Sequence, residues 1–455
     1  MLMPLPLKLN AFERYMWADD NPAHPMSYFA QVLFSGRLDE PTFVGAMKQA
    51  LLRHPLLHAR IGGDSERAPT WIPSPALLPY VDCAEEPLPM RFPGSYRIDL
   101  REENGLRVWV RKSADRGVIR FQFHHSCCDG IAVNQFIEDV LCLYDHVACG
   151  RSGEPSGLRP VEFAGLPGRN RFGRGWWDWL GRRFIDLWGV VIGPPIFFLG
   201  RPTPLQTPGS SDHQEQDGRV IPELLTWRFT ESQLANLLAQ TRVHRVTLND
   251  LLLRDIFVAV HAWNFSHDDK LRRESLRIMV PFNLRGPEHR TLPAVNVVGM
   301  ANLDRRLSWP WFRNPQRLLR SIQLETSLLK TFRIVTCFPC VMAVIDCLPG
   351  GLPKMLRRER CLASTVVSNL GKIFGDTPLR HRDGKLLAGE LTIEAVDTAP
   401  PVRGGSGAAS TFYTYAGQLS VSMNYDPHRF RRETAEQLFR HLVAQIERTA
   451  GTVVV

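Results

Sequence analysis

Cysteine is scarce and irregular in this chain: nine residues in 455, an odd number without the spacing of a framework. That excludes a disulfide scaffold and suits a reducing compartment. The lone Cys-x-x-Cys, Cys337-Phe338-Pro339-Cys340, has no second pair and no histidines nearby, so no metal site is expected. The start, Met1 to Lys8, is apolar but has no basic opening, sustained apolar core or small-residue cleavage site; a signal peptide is not expected and the cytoplasm is the default location. No repeat of solenoid period occurs, and no nucleic-acid-binding motif accompanies the net charge of +9. Nucleic acid is therefore not an expected partner.

What is present is ordinary globular material. Hydrophobic residues make up 44% and charged residues 22%, and the proline and glycine are spread along the chain as turns rather than gathered into a disordered tract. Length alone allows about three domains, and two large halves packed as one unit fit equally well. Asn10 with Glu13 three residues later forms a capping box for a short helix through Trp17.

The most informative segment is Phe121-Gln122-Phe123-His124-His125-Ser126-Cys127-Cys128-Asp129-Gly130, an HHxxxDG pattern. Before it, Ile119, Phe121 and Phe123 alternate with Arg120 and Gln122, which predicts a strand with one buried face. After it, apolar residues from Ile131 to Val147 recur at helical spacing. The motif therefore sits on a strand-to-helix turn, where side chains can face a cleft between rigid elements. A histidine there can take a proton at neutral pH. Two adjacent histidines on extended backbone cannot both point inward, so one of His124 and His125 faces the cleft and the other supports it. Asp129 has two readings, as a cap for the following helix or as a buried carboxylate pairing with a distant arginine. Gly130 supplies either the backbone dihedrals or the close approach that the turn needs. Cys127 and Cys128 read either as a nucleophile beside histidine or, preferably, as small buried fillers.

The motif resembles the active-site signature of the chloramphenicol-acetyltransferase-like superfamily, which includes condensation domains, BAHD acyltransferases, alcohol acetyltransferases and wax-ester-synthase-like enzymes. It falls about one third of the way along the chain, as in that superfamily. Four other stretches are similar to the same superfamily: Leu33 to Asp39 followed by Ala50 to Arg60, Thr247 to Leu253, Val280 to Arg285, and Val367-Ser368-Asn369-Leu370-Gly371. The resemblance implies an α/β fold of two chloramphenicol-acetyltransferase-like halves with mixed sheets and an active-site channel between them. It also implies acyl transfer from a thioester to a hydroxyl or amine. His125 matches the catalytic histidine, His124 the mainly structural one, and Asp129 an aspartate that shapes the loop through an ion pair, with Arg285 as its candidate partner. Ser368 and Asn369 are candidates for oxyanion contacts or else an ordinary turn. Asn249 lies just after the helix cap Thr247, facing either the channel or the opposite half.

No cofactor is implied beyond an acyl group carried by coenzyme A or phosphopantetheine, and an acyl carrier protein would act in trans. The DFGWG element of plant BAHD enzymes is missing, which argues against that branch. A non-catalytic module of the same fold, binding a carrier protein or lipid, is the alternative function. The organisation read from the pattern is a first half over 1–165, a crossover over 166–224 and a second half over 225–455. The crossover holds Arg169, Arg171, Arg174, Arg182 and Arg183 around Trp176, Trp177 and Trp179, then an apolar run from Phe184 to Ile192 before Pro194-Pro195. That run is too short to span a bilayer. Residues 176–199 read either as a helix at a membrane interface, making the protein peripheral, or as a packed crossover. The positive charge suits coenzyme A phosphates, an acidic carrier or anionic lipid.

Overall fold

Ile119, Phe121 and Phe123 share one face of the strand Arg116–His124, and the two phenylalanines meet Phe136 of helix Gly130–Ala148 edge-on, with ring centroids 6.4 and 5.9 Å apart. This computed structural model describes the chain outside residues 1–4, 64–67, 77, 154, 156, 171, 173–190, 192–201, 209–220, 222–223, 269–274, 309–311, 313, 357–360 and 452–455. The opposite face of the strand is buried too. There Gln122 Nε2 donates to Ser27 Oγ (2.8 Å) and the Tyr96 carbonyl (2.6 Å), and Arg107 Nη1 donates to the Ser95 carbonyl (2.7 Å). The segment carrying Ser95 and Tyr96 thus covers a polar face and satisfies its hydrogen bonds, where the alternation predicted solvent.

Seven strands form the first sheet in the order Arg380–Arg382, Lys385–Ala388, Leu391–Ala399, Ser27–Ser35, Arg116–His124, Leu106–Lys112 and Tyr80–Glu85. Neighbours are antiparallel except the last pair. The first three of these strands come from beyond residue 225, so the chain returns late to complete a sheet begun near its start. The second sheet has six strands, in the order Val298–Arg306, Ser275–Asn283, Thr365–Lys372, Ala408–Tyr415, Gln418–Tyr425 and Leu225–Arg228. Thr365–Lys372 runs parallel to both of its neighbours, which makes the sheet mixed. A small third sheet joins Leu7–Lys8, Thr70–Pro73 and Ala59–Gly62.

Helix caps form where local spacing in the sequence allows them. Asn10 with Glu13, Thr230 with Gln233 and Thr247 with Asp250 each close a capping box, over helices Ala11–Asp19, Glu231–His244 and Leu248–His267. Several elements depart from what periodicity shows. Apolar spacing predicts a helix over 311–329, and it begins at Pro315, capped by Asn314. Strand Ala408–Tyr415 was invisible because a central strand buried on both faces has no alternation. Helix Cys337–Cys347 was hidden by Pro339, which its first turn tolerates.

One core lies under each large sheet. A third cluster, with Phe12, Tyr15, Met16 and Met26 from the first half and Met279 and Met342 from the second, lies where the halves meet.

Candidate functional site

The loop His125–Asp129 is held from both halves of the molecule. His125 donates its backbone N–H to the Met26 carbonyl (2.8 Å). From the second half, Asn296 Nδ2 donates to the carbonyls of His125 (2.9 Å) and Ser126 (2.8 Å). Four N–H groups converge on the Asp129 carboxylate: Ala132 N (3.0 Å), Val297 N (2.8 Å), and Arg285 Nη1 (2.9 Å) and Nη2 (3.0 Å). Asp129 is therefore both the helix cap and the arginine partner. Arg285 is fixed in turn by the Val295 carbonyl (2.9 Å).

His124 and His125 point in different directions. His124 is fully buried; its Nδ1 accepts from Ser126 N (3.1 Å), and its Nε2 lies 3.6 Å from Asp20 Oδ2. Burial pushes the Asp20 carboxyl up, but His124, the Met26 N–H and Arg97 together outweigh it, so the group stays below the usual aspartate range. His125 lines the cleft, its ring edge-on between Phe12 (centroids 5.9 Å) and Tyr28 (6.0 Å). Its Nδ1 is enclosed without a hydrogen bond. Burial holds the ring below the usual histidine range, against the backbone of His125 and Cys128 and the Asp129 charge, which pull upward. Imidazole rather than imidazolium therefore faces the cleft at neutral pH.

Gly130 opens the helix where space is shortest. A Cβ there would lie 2.8 Å from Tyr28 Oη and 2.9 Å from Leu370 Cδ2, so close approach, not an unusual dihedral, is what glycine provides. Cys127 and Cys128 are fully buried, and burial pushes both thiols well above their ordinary range. Neither is poised as a thiolate nucleophile.

The cleft holds about 880 Å³ of empty space, mouth included. Its walls come from both halves: Phe12, Tyr15 and Met26 on one side, Met279, Met300 and Val366 on the other. Methionines at such positions accommodate apolar groups of varied shape. Ser368 and Asn369 also line it. Asn369 is committed locally, since its Oδ1 accepts from Gly371 N (2.9 Å) and its Nδ2 donates to Asn249 Oδ1 (3.3 Å). Asn249 does not line the cleft; it stands behind Asn369.

Three contributors were missed by the pattern reading. Asn296 is a lone polar residue in the run Ala294-Val295-Asn296-Val297-Val298, a composition that signals a buried, bonded side chain. Arg403 lines the cleft, pairs through Nε with Asp19, and leaves a buried Nη1 with no acceptor among the described residues. Glu13, beyond its capping role, is fully buried and takes a bidentate pair from Arg169, with Nε and Nη2 each at 2.6 Å, and a bond from Trp71 Nε1 (2.9 Å). Arg169, grouped by sequence with the arginines of the crossover, is thus a core residue and not a surface cation. The remaining arginines and the tryptophans of that crossover, and nearly all of 176–199, lie outside the described residues.

No family model matches the chain. Two uncharacterized proteins of Mycobacterium tuberculosis, from strains CDC 1551 and H37Rv, are each 26% identical over 404 residues, covering 81% of this chain and 83% of theirs. Among solved structures, the first condensation domain of the calcium-dependent antibiotic synthetase, in complex with a substrate analogue, superposes with a TM-score of 0.70 at 12% identity, over 99% of this chain and 97% of that one. The starter condensation domain of rhizomide synthetase, in a variant complexed with C8-CoA and Leu-SNAC, gives 0.65 at 13% identity, over 98% and 95%. Polyketide synthase associated protein 5 from Mycobacterium tuberculosis gives 0.63 at 14%, over 98% of each. The chain has the two-lobed, mixed α/β fold of condensation domains, and the resemblance seen in the sequence holds at that level.

Proposed function

We propose that this chain is an acyltransferase that moves an acyl group from a thioester, on coenzyme A or a carrier protein, to a hydroxyl or amine, with His125 as general base. The observation that carries this reading is a buried histidine lining a cleft walled by both halves, on a loop tied down by the Met26 carbonyl, by Asn296 and by the Asp129–Arg285 pair. With its proton on the enclosed Nδ1, the ring presents the Nε2 lone pair to the cleft. Nε2 removes the acceptor proton as the acceptor attacks the thioester carbonyl; the new C–O or C–N bond forms, the C–S bond breaks, and the same proton passes to the departing thiolate. No covalent acyl-enzyme is needed, which agrees with the inert buried thiols.

Ser368, whose side chain lines the cleft, is the candidate hydroxyl for the oxyanion, while the Asn369 amide already donates to Asn249 Oδ1. Arg403 Nη1 offers a second unsatisfied donor, suited to a carbonyl or hydroxyl oxygen since Asp19 already matches its charge. The apolar, methionine-lined walls favour an acyl group that is mostly hydrocarbon. His124, Asp129 and Arg285 act by holding the loop.

The test is to incubate the purified chain with pooled acyl-CoA and acyl-carrier donors and cell extract, and to identify acylated products by mass spectrometry. His125→Ala should keep the fold by circular dichroism and lower transfer by ~10²–10⁴. Near-normal transfer by that variant would remove His125 from the mechanism.

A further inference from the structure

Helix Pro315–Thr331 buries one stripe, Leu318, Leu319, Ile322 and Thr326. Its opposite stripe runs through Arg317, Arg320, Leu324 and Leu328 to Phe332, all exposed, with Leu324 at 60% and Phe332 at 54% of full accessibility. Residues three and four apart share a helix face, so these five form one line. The chain then bends by 64° into the segment Ile334–Cys347. Ile334, Ala343, Val344 and Cys347 are exposed there, followed by Leu348 at 58%. The inner side of this second helix, Phe338, Val341, Met342 and Ile345, belongs to the cluster that also holds the cleft residues Phe12, Met26 and Met279. It is thus apolar on two sides, and the outer one packs on nothing among the described residues.

Along the chain from 315 to 356 the exposed charges are of one sign. The exposed ionic groups between 315 and 356 are Arg317, Arg320, Lys330, Arg333 and Lys354. The two acidic residues of this stretch are partly buried and neutralised: Glu325 pairs with Arg305 (2.8 Å) and Asp346 with Arg14 (2.9 Å). Isolated exposed apolar residues are normal on any protein, but a run of them interleaved with cations that have no ion pair among the described residues is not scatter.

We propose that this bent helical pair docks on an anionic lipid bilayer. Leu324, Leu328, Phe332, Ile334, Val344 and Leu348 enter the acyl boundary, while Arg320, Lys330, Arg333 and Lys354 stay at headgroup level. Among the described residues no single helix is long and apolar enough to cross a membrane, and the contact proposed is interfacial. The helix that meets the lipid on its outer side packs by its inner side on the cluster that walls the cleft. The surface is built from residues other than 176–199 and does not depend on the chemistry assigned to His125.

Flotation of the full chain with phosphatidylcholine vesicles, with and without phosphatidylglycerol, tests it without any activity assay. Wild type should float with the anionic vesicles at low salt and lose much of that binding at high salt. Leu324→Ser/Leu328→Ser/Phe332→Ser should lower the bound fraction roughly tenfold or more, with an unchanged melting curve. If that variant proves unstable, Lys330→Glu/Arg333→Glu leaves every apolar residue in place and should still abolish the preference for anionic lipid. Wild type that does not float, or helical-pair variants that float like wild type while Trp176→Ser/Trp177→Ser/Trp188→Ser does not, would overturn the proposal. So would a concentration-dependent dimer, seen by sedimentation and dissociated by the triple serine variant, in a chain that ignores vesicles; the patch would then cover a second copy.

Discussion

Asp129 is a carboxylate with two employers, a helix it caps and an arginine 156 residues away. Removing one member of such a buried pair typically costs ~3–5 kcal/mol, because the other is left charged and unmatched. Asp129→Asn and Arg285→Met should therefore each lower stability in denaturant melts and reduce transfer, and the double variant should lose less than the sum, by about 0.5–3 kcal/mol. Strict additivity would mean that the two side chains do not act as a unit. The same residue shows what a sequence can disclose. His124, His125, Asp129 and Gly130 sit within one short motif, and the strand before it and helix after it announce themselves by period. Arg403 carries no local signal, and Asn296 only that of a lone polar residue in an apolar run, which says nothing of its partner; Asn296 meets His125 across 171 positions.

Helix Ala11–Asp19 shows the same division one level up. Its start was legible, because a capping box is a local pattern, but its role in the cleft was not. Glu13 anchors the helix to Arg169, and the Glu13 carbonyl accepts from Ser126 Oγ (3.1 Å), so the helix that presents Phe12 to His125 is tied to the motif loop. Glu13→Ala should destabilise the protein by about 3–5 kcal/mol, read as a large drop in melting temperature. Glu13→Gln combined with Arg169→Met should recover part of that loss by removing the stranded cation. No recovery would indicate that the backbone around residue 13, and not the ion pair, holds the helix. His54 makes a comparable tie: it is fully buried between Asp139 (3.0 Å) and Ala294 N (2.8 Å), and so links both halves to the helix that follows the motif.

For the whole molecule, burial sets the response to acid. It holds His54, His58 and His125 below the ordinary histidine range. The folded chain resists protonating these rings, whereas the unfolded chain takes up a proton on each near pH ~6.5, so the unfolded state binds more protons as pH falls and stability drops. Asp20 and Asp139 are pushed up by burial but held low by their histidine and arginine neighbours, which adds a further loss in the carboxylate range. Asp255, pushed up to about 6 by burial, works in the opposite sense. The melting temperature should be steady between about pH 7 and 8 and decline below about 6.5; a profile flat to pH ~5 would contradict the buried-histidine account.

The late return of Leu391–Ala399 to pair with Ser27–Ser35 also sets an order of events during synthesis, since 359 residues separate Ser35 from its partner Glu394. As the chain leaves the ribosome, Ser27–Ser35 carries a row of unpaired N–H and C=O groups on one edge, open to any other strand, until nearly the whole polypeptide has emerged. Severing the chain between the halves would leave that edge open on the isolated first half, so each lobe carries part of what closes the other.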